Sequence, residues 1–126
     1  MNKLIKILIL DDEDFILSEI KEGLSDYTVD IENNPLKALQ KIKQSKYDIF
    51  IVDYKMPNMN GIDFLIELKK EYNNDYVSIL LTAYSDKTIL EQILNKELVS
   101  TFIEKPFKIE LTASFRPGII WDQNFS

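Results

Sequence analysis

Four apolar runs in this chain each end on a polar residue: Leu4 to Leu10 on Asp11-Asp12, Ile49 to Val52 on Asp53, Val77 to Leu81 on Thr82, and Phe102-Ile103 just before Lys105. Runs this short and this continuously apolar suit strands covered on both faces. As parallel strands of one sheet, their C-terminal ends meet in the crevice where open α/β sheets place ligands. Three carboxylates, a hydroxyl and an ammonium then share one edge, a set able to hold a divalent cation and accept a phosphoryl group.

The segments between the runs carry helical spacing. Asp14 is positioned to cap a helix whose apolar stripe is Ile16, Leu17, Ile20 and Leu24, with Gly23 near its end. Thr28 to Ile31 reads as a second strand, and Asn34-Pro35 as the start of a helix with Leu36, Leu39 and Ile42 on its buried side. Asp48 to Asp53 is the next strand, and the loop that follows is marked by Pro57 and Gly61. It leads into a helix with Ile62, Leu65, Ile66 and Leu68. Val77 to Thr82, a helix capped by Asp86 with Ile89, Leu90, Ile93 and Leu94, and Val99 to Ile103 complete the pattern. This alternation predicts a doubly wound, five-stranded parallel sheet with helices on both faces. Residues 1–115 are expected to form one domain and 116–126 an irregular tail, because Pro117-Gly118 interrupts the last helix before Ile119-Ile120-Trp121.

Composition removes several chemistries. With 126 residues the chain has the length of one ordinary domain. No apolar stretch approaches the ~20 residues of a membrane span. Met1-Asn2-Lys3 leads into strand-like sequence without a signal-peptide pattern, so the default expectation is a cytoplasmic protein with no membrane partner. The absence of cysteine excludes disulfides and thiolate metal sites, and the absence of histidine excludes an imidazole zinc site, a Ser-His-Asp triad and a phosphohistidine on this chain. A formal net charge of −6 repels nucleic-acid backbones and leaves metal cations and basic protein patches as the better partners.

Asp11, Asp12 and Asp53 are hard oxygen ligands of the kind Mg2+ takes, and a cation would let these carboxylates lie close together. An Asp-Asp pair alone could equally cap the following helix. Asp53 is the candidate nucleophile, since a carboxylate can attack phosphorus to form an acyl phosphate. Lys105 can neutralise phosphate oxygens as a point charge, and Thr82 can donate to one of them. Taken singly, each is an ordinary strand-end residue; together they describe a phosphate site.

With Asp11-Asp12 after the first strand, Asp53 followed by Met56-Pro57 and Gly61, Thr82-Ala83 after the fourth and Lys105-Pro106 after the fifth, the chain resembles a receiver domain of the two-component response regulators, the CheY-like family. The likeness runs from Lys3 to about Ile109. It implies that Asp53 takes a phosphoryl group from a phosphohistidine of a sensor histidine kinase or phosphotransfer protein. It further implies Mg2+ held by Asp12, Asp53 and the backbone carbonyl of Lys55, with Asp11 acting through water, and phosphate oxygens held by Lys105, Thr82 and Ala83. Such a protein catalyses only its own phosphorylation and dephosphorylation, and so is not an enzyme in the usual sense.

A cis peptide at Lys105-Pro106 is implied too, as is a switch read through Thr82 and Phe102 onto the fourth helix, fifth strand and fifth helix. Lys55 and Tyr84 are expected to flank the water path to the acyl phosphate and slow its loss. The output is expected to be a downstream protein target or an output domain of a longer regulator, and Pro117-Gly118 bears on any homodimer built through the last helix. Two rivals remain at this level. One is a pseudo-receiver that binds partners without phosphorylation. The other is a haloacid-dehalogenase-type phosphohydrolase using Asp12, with Asp14 completing an Asp-x-Asp.

Overall fold

The computed structural model describes residues 4–83, 86, 88, 90, 91 and 97–105. In chain order these form β1 (Lys6–Leu10), α1 (Asp14–Gly23), β2 (Thr28–Glu32), α2 (Pro35–Lys41), β3 (Ile49–Asp53), α3 (Gly61–Glu71), β4 (Val77–Ala83) and β5 (Thr101–Lys105). All neighbouring strands are parallel, in the order β2-β1-β3-β4-β5. This is the expected doubly wound sheet. Among the described residues no helix is long and apolar enough to cross a membrane.

The strand order follows from a reversal. From β1 the chain steps outward to β2, then crosses back over β1 to β3 and continues the same way to β4 and β5. With crossovers of one hand, the reversed step puts its helix on the other face. The packing agrees: Leu17 and Ile20 of α1 lie in one cluster with Ile7, Ile9, Ile49, Ile51, Ile79 and Leu81. Ala38 of α2 and Phe64, Leu65 and Leu68 of α3 lie in the other, with Leu8, Leu10, Phe50, Val52 and Leu80. Successive strand residues alternate between the two, as a pleated backbone requires. Each fully buried Ile or Leu contributes about 1.5–3 kcal/mol.

Some sequence expectations shift. Leu4 precedes β1 and is 93% exposed, so the strand is shorter than the apolar run. β5 does not stop at Ile103; it continues through Lys105, which pairs with Ala83 because β4 also runs one residue further. Asp14 does not cap α1. Glu13 is the N-cap and offers no side-chain bond; its N–H donates instead to Asp11 Oδ1 at 2.9 Å. Asp14 lies inside the first turn, where a negative charge suits the helix dipole, and accepts from Asn33 Nδ2 at 3.1 Å. α2 starts at Asn34-Pro35 as expected, with Asn34 Oδ1 accepting from Leu36 N at 2.9 Å, but Leu36, expected on the buried side, is 60% exposed; α3 is capped by Asn60, whose Oδ1 accepts from Asp63 N at 2.8 Å. Asp86, Thr88, Leu90 and Glu91 are helical, so Asp86 lies in a helix where a cap was expected. Tyr84, Ile89, Ile93, Leu94, the Lys105-Pro106 peptide and the 116–126 tail lie outside the described residues.

Candidate functional site

The alternation of the strands decides which side chains meet where the strands end. Asp11 continues the face of Ile7 and Ile9, Asp53 that of Ile49 and Ile51, and Lys105 that of Ile103, all on the α1 side. These three converge. Lys105 Nζ lies 2.9 Å from Asp53 Oδ1 and 3.0 Å from Asp11 Oδ2, with Glu13 Oε1 at 3.7 Å. The opposite parity carries Thr82 and Phe102: Leu80 is paired with Phe102 and Thr82 with Glu104, and Phe102 packs half-buried against the α2–α3 cluster. One face of the sheet edge thus bears Asp11, Asp53 and Lys105, and the other bears the hydroxyl and the aromatic ring.

Asp11 is fully buried and Asp53 is 5% exposed, so neither carboxylate is well solvated. Burial pushes the pKa of Asp53 up to about 7; the Lys105 hydrogen bond opposes this and the Asp11 charge adds to it. Burial also raises Asp11, against the Glu13 N–H and Lys105. For Lys105 burial acts downward, but its bonds to Asp53 and Asp11 outweigh it and the ammonium is held charged. Two buried carboxylates therefore share one ammonium. Asp12 is exposed beside them, and one oxygen each from Asp11, Asp12 and Glu13 lie within 4.8 Å of one another.

The backbone around Asp53 leaves no slack. Gly61 opens α3 directly over the end of β3, where a Cβ would stand 2.3 Å from the carbonyl oxygen of Asp53, so only glycine fits. Its N–H donates to Tyr54 O at 2.8 Å, closing the intervening loop at its base, while Tyr54 N donates to Leu81 O at 2.9 Å. That loop holds Lys55, and Asn58 takes a left-handed φ of 72°, a conformation Asn tolerates well.

These residues fit a hard divalent cation bound next to an anion. The carboxylates exceed the cationic charge present, they are oxygen donors only, and the site has a spare donor. Thr82 is 1% exposed, and its Oγ1 has no hydrogen-bond partner among the described residues. A buried hydroxyl without a partner costs free energy that an anionic oxygen could recover. Thr82→Val, which keeps the shape and removes the hydroxyl, is therefore expected to leave the ligand-free protein as stable as before or up to about 1 kcal/mol more stable in urea denaturation. A loss of stability would show that the hydroxyl already has a partner.

Of the residues singled out from sequence, Asp11, Asp53 and Lys105 are in direct contact and Asp12 is adjacent. Ala83 ends β4 opposite Lys105. The Lys55 side chain is engaged elsewhere, its Nζ 3.4 Å from Asp86 Oδ2. Two participants were not foreseen in these roles. Glu13 was legible in the acidic run Asp11-Asp12-Glu13-Asp14, whereas Asp86 read only as a helix cap and its pairing with Lys55 has no local signal.

A family model described as response regulator receiver domain matches residues 7–114. Response regulator ArlR of Staphylococcus epidermidis is 32% identical over 107 residues, covering 82% of this chain and 47% of that protein. Sporulation initiation phosphotransferase F of Bacillus subtilis is 34% identical over 111 residues, covering 83% of this chain and 85% of that protein. Among solved structures, response regulator protein TrrA of Thermotoga maritima, in complex with Mg(2+)-BeF, matches with a TM-score of 0.72 at 32% identity, covering 84% of this chain and 90% of that one. The chain spans about half the length of the first curated relatives it matches.

Proposed function

Because this chain belongs to the response-regulator receiver family, we propose that it is a phosphoacceptor whose Asp53 takes a phosphoryl group from a phosphohistidine on a sensor histidine kinase or phosphotransfer protein. The observation that carries this reading is Lys105, whose ammonium lies within 3.0 Å of both Asp53 and Asp11 at the end of a parallel sheet. A nucleophile, a counter-charge for the transferred oxygens and a cluster of hard oxygen donors are then in one place.

In this reading Asp12, Asp53 and the carbonyl of Lys55 would hold Mg2+, with Asp11 acting through water, and the ion would supply positive charge that screens the carboxylate and phosphoryl oxygens. Asp53 supplies the attacking oxygen, Lys105 neutralises the transferred group, and Thr82 Oγ1 with the Ala83 N–H donates to it. Engagement of Thr82 is relayed to Phe102, which shares its face of the sheet, and changes the surface offered to a downstream protein or an output domain. Lys55, and Tyr84 beyond the described residues, border the route by which water reaches the acyl phosphate. The protein then works on no substrate but itself, in the cytoplasm.

What favours the receiver reading over the dehalogenase-type one is that Lys105 contacts Asp53 and Asp11, while Asp14 lies in the first turn of α1 and accepts from Asn33. The pseudo-receiver reading is tested directly. Incubated with Mg2+ and acetyl phosphate, the protein should gain the mass of one phosphoryl group, on the peptide containing Asp53. No gain would support the pseudo-receiver, and a gain on Asp12 would overturn the assignment.

A further inference from the structure

Lys55 and Asp86 form an ion pair between the loop that follows β3 and the helical residues that follow β4, beside the crevice. Lys55 lies two residues beyond Asp53 and Asp86 four beyond Thr82. β3 and β4 are neighbours, with Asp53 opposite Leu81, so the pair bridges the strand ends from which Asp53 and Thr82 emerge. Its Nζ to Oδ2 distance is 3.4 Å, with the lysine side chain 73% exposed and the aspartate 24%. The Asp86 oxygen that faces Lys55 is itself buried and has no hydrogen bond among the described residues. Among the described residues Lys55 is thus the group that compensates it.

We propose that Asp86 is a positioning residue for Lys55, holding its side chain as a strap across the β3–β4 side of the crevice and slowing the passage of small molecules to and from Asp53. This rests on the reading of Asp53 as the phosphoacceptor. Two steps use that opening. In loading, an Asp53 oxygen attacks the phosphorus of acetyl phosphate, the bond from phosphorus to the acetyl oxygen breaks, and acetate leaves. In loss, a water oxygen attacks the same phosphorus, the bond to Asp53 breaks, and the products are the free carboxylate, orthophosphate and a proton. The strap reacts in neither step and restricts both.

The test compares the wild type with Asp86→Asn, Lys55→Met and the double variant, loaded with acetyl phosphate and Mg2+ and then followed by mass after the donor is removed. Each single variant is expected to lose its phosphoryl group roughly two- to fivefold faster, the range an exposed ion pair can supply. The double variant should be no faster than either single one. The charge-exchanged pair Lys55→Asp with Asp86→Lys should restore slow loss, which a merely structural role for Asp86 would not permit. Added salt should speed loss in the wild type but not in Asp86→Asn, and the rise in melting temperature on adding Mg2+ should be the same in both. Independent effects of the two substitutions, or an unchanged rate in Asp86→Asn, would overturn the strap. Failure of the wild type to take up any phosphoryl group would instead overturn the reading of Asp53.

Discussion

Asp53→Asn should abolish covalent labelling by acetyl phosphate and at the same time make the unmodified protein more stable at pH 8. The first effect follows from the chemistry, because an amide nitrogen or oxygen in that place is not a competent nucleophile toward phosphorus. The second follows from the environment. Burial raises the pKa of Asp53 from 3.8 to about 7, so the folded state holds a proton that the unfolded state has released over that interval. A carboxyl with a raised folded pKa contributes stability that is full below pH 4 and is lost as pH rises through about 7. Asn has no charge to lose. The gain from Asp53→Asn should therefore be on the order of 1 kcal/mol at pH 8 and shrink toward pH 5, measured by urea denaturation in EDTA. Labelling that persisted in this variant would remove Asp53 as the acceptor, and a stability loss growing with pH would contradict the electrostatic account.

Lys105→Met should act in the opposite direction on stability, with the largest effect of any single change at this edge. The ammonium is the only cation within bonding distance of two nearly buried carboxylates among the described residues. Removing one member of such a group costs about 3 kcal/mol when its partners stay ionised. They need not stay ionised. Without Lys105 the pKa values of Asp11 and Asp53 rise further, both stay protonated to higher pH, and the penalty falls as the solution is acidified. Lys105 itself has a raised folded pKa, so its contribution is fully present below its unfolded value of 10.5 and is lost only above it. The difference between wild type and variant should thus be small at pH 5 and widen to about 3 kcal/mol by pH 8. Mg2+ should restore more stability to the variant than to the wild type, because it replaces charge that Lys105 no longer supplies. A penalty that did not depend on pH would show that Lys105 acts by packing.

Much of this was legible in one dimension. The apolar runs, their lengths and the helical spacing between them specified a parallel sheet with two covered faces, and the polar residue closing each run marked the edge of interest. Three misjudged boundaries share a single cause. Leu4 is apolar yet lies outside β1, Ile103 is not the end of β5, and Asp14 is not the cap of α1. In each case the boundary is set by a partner: a strand lasts as long as its neighbour can pair with it, and the Glu13 N–H was taken by Asp11 from the preceding strand end.

The sequence by itself determined the fold class, the inventory of charges and the exclusion of histidine and cysteine chemistry, because these depend on residue type and on periods of two and 3.6 along the chain. Only the tertiary structure decided which of those charges meet. Register sorts Asp11, Asp53 and Lys105 onto one face of the sheet edge and Thr82 with Phe102 onto the other, and a slip of one residue in any strand would turn that strand's member to the opposite face. It also turned Lys55 toward Asp86, a contact between a loop residue and a helical one that no local pattern encodes. The physical reason is that burial and pairing, which raise the pKa of Asp53 and hold Lys105 between two carboxylates, are properties of neighbours in space, and the order of residues along the chain does not contain them.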